Sequence, residues 1–591
     1  MIANRGEIAC RVIRTCKSMG IKTVAIYSEI DSRALHVQHA DEAYCVGPAP
    51  SGQSYLNVDV ILEVIRKSGA EAVHPGYGFL SENTDFAQKL SDMGIVFVGP
   101  NSHSVHAMGD KIESKLIANK AKVNTIPGFE GVIKDAEHCV QLAREIGYPV
   151  MIKASAGGGG KGMRMAYNDQ EAYEGFRFSK NEAMSSFNDD RLLIEKFIEE
   201  PRHIEIQVLC DKHGNGIYLN ERECSIQRRN QKVIEEAPST FVDPELRKAM
   251  GEQAIALAKN VGYDSAGTVE FLVDKNKNFY FLEMNTRLQV EHPITEYICG
   301  IDIVHHMLRV AKGHKLRHRQ EDVQLRGWAI ESRVYAENPY KNFGLPSIGR
   351  LTRYCEPTFI DSNNVRCDSG VIEGSEINIY YDPLICKLIT YGNDRMEALS
   401  TMAKSLDNYV IRGLIHNIPL LRDIITEPNF VDGHIDTKYL PRIYPDGFKG
   451  RQMNDERIRD LTSIAVSIFL RKFYRSKHYV ENDTISLDED SIKKHTLFVD
   501  LSENLNIQQN DDQQQKVIKT DVEFNESTNQ FKIYIDNEFI AEFPSNFSLA
   551  KLTLDFQIDK KIYTVQLISV NHDGYCQIQF EGTIVSPRKM K

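Results

Sequence analysis

Two apolar arms, Thr268-Val269-Glu270-Phe271-Leu272-Val273 and Phe279-Tyr280-Phe281-Leu282-Glu283, flank the polar break Asp274-Lys275-Asn276-Lys277. The pattern predicts a tight β-hairpin centred on Asn276-Lys277, which sets Glu270 directly opposite Glu283. Two carboxylates at cross-strand distance repel, and no cation stands beside them in sequence. A hard divalent cation such as Mg²⁺, which takes oxygen ligands, resolves that repulsion. Further along, Glu283, Asn285, Arg287, Gln289 and Glu291 take every second position, and Leu282, Met284, Leu288 and Val290 the alternate ones. If the stretch is extended, one face carries acid, amide, guanidinium, amide and acid in order, while the other packs inward. An amphipathic edge strand gives the same alternation but does not account for the matching Glu270. Metal ligands, an anion-binding arginine and a base in one line fit phosphoryl transfer.

Upstream, Gly157-Gly158-Gly159-Gly160-Lys161-Gly162 follows the strand Val150 to Ala154. No Ser or Thr follows the lysine, and the acid of a dinucleotide fold is missing, so neither standard glycine motif applies. Glycines at this density bend closely over phosphates and present backbone N–H groups, as a lid does. Lys153 and Lys111 are the candidate phosphate cations. His203 to Leu209 and Asn278 to Met284 alternate as strands. The polar run Glu221 to Lys232 fits either a functional segment or a solvated loop. Lone histidines such as His74 and His292 read as structural.

The first hundred residues alternate helix and strand: Gly6 to Gly20 helix, Lys22 to Tyr27 strand, Val58 to Ser68 helix, then strands Glu71 to His74 and Ile95 to Val98. This rhythm predicts a parallel, doubly wound sheet. Lys111 to Ala121 reads as a helix, and a second α/β unit runs from about Tyr148 to His292. Short strands and turns dominate from Trp328 to Tyr391, and Leu399 to Val410 is helical. A turn-rich linker, Tyr444-Pro445-Asp446-Gly447, precedes a helix that starts at Asn454-Asp455-Glu456 and keeps Ile458, Leu461, Ile464, Ala465 and Ile468 on one face. The remainder, from His495, is β-like. Asn510 to Gln515 is low-complexity and reads as a loop.

At 591 residues the chain exceeds one hydrophobic core, and about 150 residues per domain gives roughly four domains. Hydrophobic residues make up 42% and charged residues 26%, values of an ordinary globular protein rather than a collagen, a disordered chain or a membrane bundle. Net charge is -11, so no global basic footprint for nucleic acid exists, and no apolar run is long enough to span a membrane. The 11 cysteines form no CxxC and read as reduced, buried thiols. Met1-Ile2-Ala3-Asn4-Arg5-Gly6 reads as the tail of a clipped strand feeding a helix, compatible with a targeting segment removed ahead of it.

Several long motifs occur together and in order: Asn4-Arg5-Gly6-Glu7-Ile8-Ala9, His74-Pro75-Gly76-Tyr77-Gly78-Phe79-Leu80-Ser81-Glu82-Asn83, the glycine lid, and Glu283 to His292. With them, residues 1–445 resemble the biotin carboxylase family of the ATP-grasp superfamily. Glu221 to Glu236, Arg333 to Leu351, Asn408 to Gly413 and Tyr444 to Gly450 look most like the α-subunit family of propionyl-type acyl-CoA carboxylases. The resemblance implies an α/β biotin carboxylase architecture. Its parts are an N-terminal pre-ATP-grasp domain (1–107), an ATP-grasp domain (108–320) and a C-terminal carboxylase domain (321–445). A BT-like docking domain of helix plus antiparallel β-barrel follows (446–591).

The same resemblance implies the site. Lys111, Lys153, Gly158, Gly159, Gly160, Glu195, Lys196, Ile198, His203, Gln227 and Asn230 would hold ATP. Asn230 stands where many family members have His. Glu270, Glu283 and Asn285 would bind Mg²⁺ or Mn²⁺, and Lys232, Arg287, Gln289 and Val290 would position bicarbonate. Glu291 would be the base, and Tyr77, Arg333 and Phe343 would contact biotin. Catalysis would rest on Lys232, Arg287, Glu291 and Arg333.

The family's biotin-bearing lysine lies in Met-Lys-Met within a carrier domain, a motif this sequence lacks. The expectation is carboxylation of free biotin or of a carrier supplied separately. Expected partners are that carrier and a carboxyltransferase β subunit, in an α6β6 assembly. Neither nucleic acid nor membrane is expected. The expected location is the mitochondrial matrix, or the cytoplasm of a bacterium. Rival readings are the 3-methylcrotonyl-type α subunit, a carbamoyl-phosphate-type ligase, which leaves the His74 to Asn83 motif unexplained, and a degenerate structural subunit.

Overall fold

In the computed structural model, which describes residues 1–156, 162–341, 345–480, 492–500, 517–571 and 575–586, the N-terminal rhythm folds as the sequence predicts. Strands β1 (Val24–Ser28) and β2 (Glu42–Gly47) pair in parallel, as do β3 (Ala72–Val73) and β4 (Val96–Phe97). Ile2 bridges to Ala25 on one side and to His74 on the other, both in parallel. Helix α1 (Gly6–Ser18) follows and buries Ile8, Ala9, Val12 and Ile13. The helix Val58–Ser68 has its predicted bounds. Asn57 accepts from Val60 N at its start, and Gly69 at φ 66° ends it.

The chain divides into two compact units, one of residues 1–335, 362–401 and 429–445, the other of 336–361, 402–428 and 446–591. In the first, a three-stranded sheet has the order β6 (Met163–Ala166), β5 (Val150–Ala154), β7 (Leu192–Lys196). A larger sheet carries eight antiparallel strands. Its order is β12 (Phe279–Asn285), β11 (Ser265–Val273), β8 (Arg202–Cys210), β9 (Gly216–Arg228), β10 (Gln231–Ala237), β13 (Trp328–Tyr335), then the strands Leu384–Gly392 and Val365–Ser369. Because β10 pairs with β13, one sheet is continuous across residues 320 and 321.

Period-two alternation divides this sheet chemically. Ile204, Ile206, Val208, Val269, Phe271 and Val273 join one apolar core. The intervening His203, Glu205, Gln207, Thr268 and Glu270 are equally buried but polar, and they line the other face. A buried polar face has to be satisfied by partners from elsewhere.

Gly370 sets the start of α1. A Cβ there would lie 2.4 Å from Glu7 N and 2.5 Å from Gly6 C, both backbone atoms that cannot swing aside. Gly370→Ala is expected to cost about 1–3 kcal/mol through overpacking. Differential scanning calorimetry reads this as an earlier melting transition, and an unchanged trace would show that the α1 backbone yields.

The second unit holds the predicted C-terminal helix, Asp455–Val480. Asn454 Oδ1 caps it by accepting from Arg457 N at 2.9 Å. Ile458, Leu461, Ile464, Ala465 and Ile468 are all buried, as their spacing predicts. Their core is completed by two four-stranded antiparallel sheets, running from Ile492–Asp500 to Glu538–Pro544 and from Thr553–Ile558 to Thr583–Val585. The same unit takes in segments earlier in the chain. Gln566 Nε2 donates to the Asp407 and Tyr409 carbonyls at 2.9 and 3.0 Å, and Arg412 donates back to Gln566 Oε1 at 2.8 Å. The low-complexity stretch Asn510 to Gln515 lies outside the described residues.

All 11 cysteines are free thiols. Among the described residues, no helix is long and apolar enough to cross a membrane.

Candidate active site

Glu270 and Glu283 are cross-strand partners, as the sequence predicts, but by a different route. The turn is not a tight one centred on Asn276-Lys277. Val273 pairs with Phe279, and the five residues between them close through Asp274, whose Oδ1 accepts from Asn276 N and Asn278 N. Regular pairing from there would set Glu270 against Leu282. A β-bulge between Glu270 and Phe271 absorbs one residue of β12 and restores the Glu270–Glu283 pair. The bulge also changes parity. Phe279 and Phe281 enter the core, then Met284, so Glu283 and Asn285 face the polar side with Glu270.

Strand β12 ends at Asn285, so Arg287 to Glu291 is not an extended strand. Asn285 Nδ2 and Gln289 Nε2 both donate to Glu270 Oε1 at 2.9 Å. Arg287 is steered by Glu82, which accepts from its Nε at 2.9 Å, and by Asn285 Oδ1 at 2.8 Å. The residues meet through the turn that the chain makes.

At the centre is Lys232, whose Nζ contacts Glu205 Oε2 at 2.5 Å, Glu291 Oε1 at 2.6 Å and Glu270 Oε1 at 3.1 Å. Arg333 reaches the other Glu291 oxygen at 3.0 Å and donates through Nε to Glu235 at 2.6 Å. Burial alone would raise the Glu291 carboxyl, but Lys232, Arg333 and Arg222 outweigh it and hold the group well below the usual range. Glu270 is likewise held down against burial by Lys232 and His203, whose Nε2 lies 2.9 Å from Glu270 Oε2. His203 thus lies against Glu270, on the metal-ligand side of the site.

Glu283 behaves oppositely. Burial and the charge of Glu270 raise it, and its ion-pair neighbour Lys111 is 3.8 Å away. That unrelieved repulsion, with the all-oxygen set Glu270, Glu283 and Asn285, fits a hard divalent cation. Among the described residues, ligating atoms also lie within 4.8 Å of one another at His203–Glu205–Glu270 and at Glu205–Cys224–Glu291. Both include Glu205, each of whose oxygens is already taken, one by Arg222 and the other by Lys232.

The nucleotide-side residues divide into those that meet and those that do not. Glu195 on β7 is clasped by Lys153 Nζ at 2.7 Å and by Lys115 Nζ at 2.9 Å, which hold it below its usual range despite burial. Lys196 donates to the Gly147 and Tyr148 carbonyls at 2.9 and 2.8 Å. With Ile198, Phe197, Tyr280 and Ile435 it lines a cleft of about 760 Å³. Gln227 is buried and donates to the Cys224 carbonyl at 2.8 Å. Asn230 instead forms a hairpin tip with Arg229, at φ 64° and 48°, between the paired Arg228 and Gln231. Asn tolerates that left-handed conformation, which two-residue hairpin turns require. Gly158, Gly159, Gly160 and Phe343 lie outside the described residues.

The polar run Glu221 to Lys232 is therefore strand, turn and strand, and its first seven residues are buried. Within it Arg222 has every N–H group satisfied. Nε donates to Glu205, one terminal nitrogen to Gln207 and Thr295, and the other to Thr268 and Gln289. Tyr77 donates its hydroxyl to Glu7, and the Val290 carbonyl accepts from Lys387 Nζ at 2.9 Å.

Sequence reasoning assigned no role to Lys115, Glu205 or Arg222. Glu205 had a signal, since His203, Glu205 and Gln207 alternate with Ile204, Ile206 and Val208. Lys115 had none, being one lysine on a helix rich in charge.

Three family models match the chain. They are the biotin carboxylase N-terminal domain at residues 1–105, the ATP-binding domain of the carbamoyl-phosphate synthase L chain at 110–319, and the biotin carboxylase C-terminal domain at 331–442. The mitochondrial propionyl-CoA carboxylase alpha chain of Mus musculus is 58% identical over 584 residues, covering 99% of this chain and 78% of the mouse protein. This chain belongs to the propionyl-CoA carboxylase alpha-chain family. The mitochondrial methylcrotonoyl-CoA carboxylase alpha subunit of Dictyostelium discoideum is less similar, 48% identical over 81% of this chain and 68% of its own. Among solved structures, the biotin carboxylase domain dimer of Hydrogenobacter thermophilus 2-oxoglutarate carboxylase superposes with a TM-score of 0.72 at 49% identity. It covers 75% of this chain and 96% of its own, and was solved with MgADP, ADP and bicarbonate. As a member of the propionyl-CoA carboxylase alpha-chain family, the protein is an ATP-dependent carboxylase, a ligase.

Proposed function

We propose that this propionyl-CoA carboxylase alpha chain carboxylates biotin with ATP and bicarbonate, through carboxyphosphate, and passes the product to a carboxyltransferase β subunit that makes methylmalonyl-CoA. The observation that carries this reading is Glu291 held between Lys232 at 2.6 Å and Arg333 at 3.0 Å. An ionised carboxylate between two cations stands where an acid-bearing substrate can compete for those cations. Bicarbonate drawn to Lys232, Arg287, Gln289 and the Val290 backbone would loosen the grip on Glu291 and raise its basicity. Glu291 then takes the bicarbonate proton, and the bicarbonate oxygen attacks the γ-phosphorus as the bond to ADP breaks.

Lys111 and Lys153, with the glycine lid, hold the phosphates, while Glu195, Lys196, Ile198, His203, Gln227 and Asn230 complete the ATP-side assignment. A Mg²⁺ or Mn²⁺ on Glu270, Glu283 and Asn285 would neutralise charge on the transferring phosphoryl group. Carboxyphosphate breaks down to CO₂ and phosphate, and the phosphate removes the ureido N1 proton of biotin. Arg333 stabilises the negative charge that develops on the ureido oxygen, and Tyr77 and Phe343 complete the biotin-side assignment. Water exclusion matters here, because hydrolysis of carboxyphosphate consumes ATP unproductively.

The proposed division remains 1–107, 108–320, 321–445 and 446–591, with the last segment docking the β subunit in an α6β6 assembly and biotin arriving on a carrier domain. The mouse and Dictyostelium relatives are named as mitochondrial. The matrix is the proposed location in a eukaryote, and the cytoplasm in a bacterium. The greater identity to the propionyl-type relative supports that substrate class over the methylcrotonoyl type.

The test is ADP release by the purified chain with ATP, Mg²⁺, bicarbonate and free biotin. Release should require bicarbonate and rise severalfold with biotin. ADP release indifferent to both would sink the reading, and co-purification with a β subunit specific for another acyl-CoA would overturn the propionyl assignment.

A further inference from the structure

Lys387 sits on the strand Leu384–Gly392, directly across from Arg333 on one side and from Asp368 on the other. It has no solvent exposure at all. Placing an ammonium there costs desolvation that only good partners offset. Its Nζ donates to the Val290 carbonyl at 2.9 Å and lies 3.1 Å from Glu7 Oε2 and 3.7 Å from Asp368 Oδ2. Asp368 is already neutralised by Arg366 and Arg14, each at 2.7 Å, so the distinctive partners are Glu7 and Val290.

Those two partners lead to opposite sides of the reaction. The Val290 carbonyl belongs to the peptide unit whose nitrogen is that of Glu291, so fixing it fixes the backbone that carries the proposed base. Glu7, on the first turn of α1, accepts the Tyr77 hydroxyl. One ammonium therefore joins the bicarbonate-side turn to the biotin-side tyrosine across three separate segments of the chain. We propose that Lys387 is a positioning residue, which through Val290 and Glu7 sets Glu291 and Tyr77 in register for the transfer of carboxyl from the bicarbonate side to biotin. The proposal rests on the reading of Glu291 and Tyr77 given above.

The experiment is steady-state ADP release by the full chain carrying Lys387→Met, which keeps the unbranched apolar stem and removes the charge and donors of Nζ. A misplaced base is expected to lower the biotin-stimulated kcat by roughly 10²-fold. The KM for bicarbonate should rise at least about tenfold. The KM for ATP should stay within about twofold, because Lys115, Glu195 and Lys153 form a separate cluster. A purely structural role would move all three together, and that result, or an unchanged bicarbonate KM and kcat, overturns the proposal. Should Lys387→Met not fold because Glu7 is left unpaired, the double variant Glu7→Gln with Lys387→Met removes that charge and is read by the same split. A wild-type chain without bicarbonate-dependent ADP release would instead refute the underlying function, which keeps the two failures distinct.

Discussion

Arg222→Leu is expected to destabilise the unit that contains the eight-stranded sheet by about 3–5 kcal/mol, the cost of breaking a buried ion pair from one side. Arg222 is fully buried, and its five N–H groups all find acceptors on Glu205, Gln207, Thr268, Gln289 and Thr295. A leucine fills part of the volume but satisfies none of them. Glu205 keeps Lys232 alone, and Gln207 and Gln289 lose a donor within the sheet. At about 2–4 °C per kcal/mol for a domain of a few hundred residues, the transition should fall by roughly 10 °C. Arg222→Lys retains the charge without the planar fork and should fall between the two. A leucine variant that melts within a degree or two of the parent would mean that water, not the guanidinium, satisfies this cluster.

The second large effect is on chemistry alone. Glu291→Gln should lower bicarbonate-dependent ATP cleavage by about 10²–10⁴-fold, the usual contribution of a general base. The substitution preserves shape. Lys232 retains Glu205 and Glu270, and Arg333 retains Glu235, so neither cation is stranded. Little loss of stability is therefore expected, and the KM for ATP should hardly move. ATP cleavage at the parent rate in the presence of biotin and bicarbonate would remove Glu291 from its role.

Which parts of this arrangement could be read from the sequence follows from how local their causes are. The Asp455–Val480 helix is set by its own apolar spacing, and the structure buries each of the five positions that spacing names. The Glu270–Glu283 pair was legible, but the bulge behind it was not foreseen. Its trace was present in Phe279 and Phe281 followed by Met284, a switch of apolar parity that an unbroken strand cannot make. The run from Glu221 fits a solvated loop as well as a functional segment because nothing near it in sequence marks its charges as buried. Its partners come from afar, Arg247 for Glu221, Glu205 for Arg222 and Arg202 for Glu223. Lys115 and Lys387 were invisible for the same reason, since a lysine announces its burial only through acceptors on other strands.

The seam inside the second unit changes how the chain can be cut. The stretch near Pro445 looks in sequence like a hinge between an enzyme and a detachable cartridge. Yet Gln566 closes over the Asp407 and Tyr409 carbonyls, Glu581 pairs with Arg451 at 3.3 Å, and the backbone at Gly582 lies against Arg422. Severing the chain at Pro445 would leave the face formed by residues 402–428 without the partners that cover it. The C-terminal region, that face and residues 336–361 are one folding module in three sequence pieces, so transplanting it onto another carboxylase would require all three.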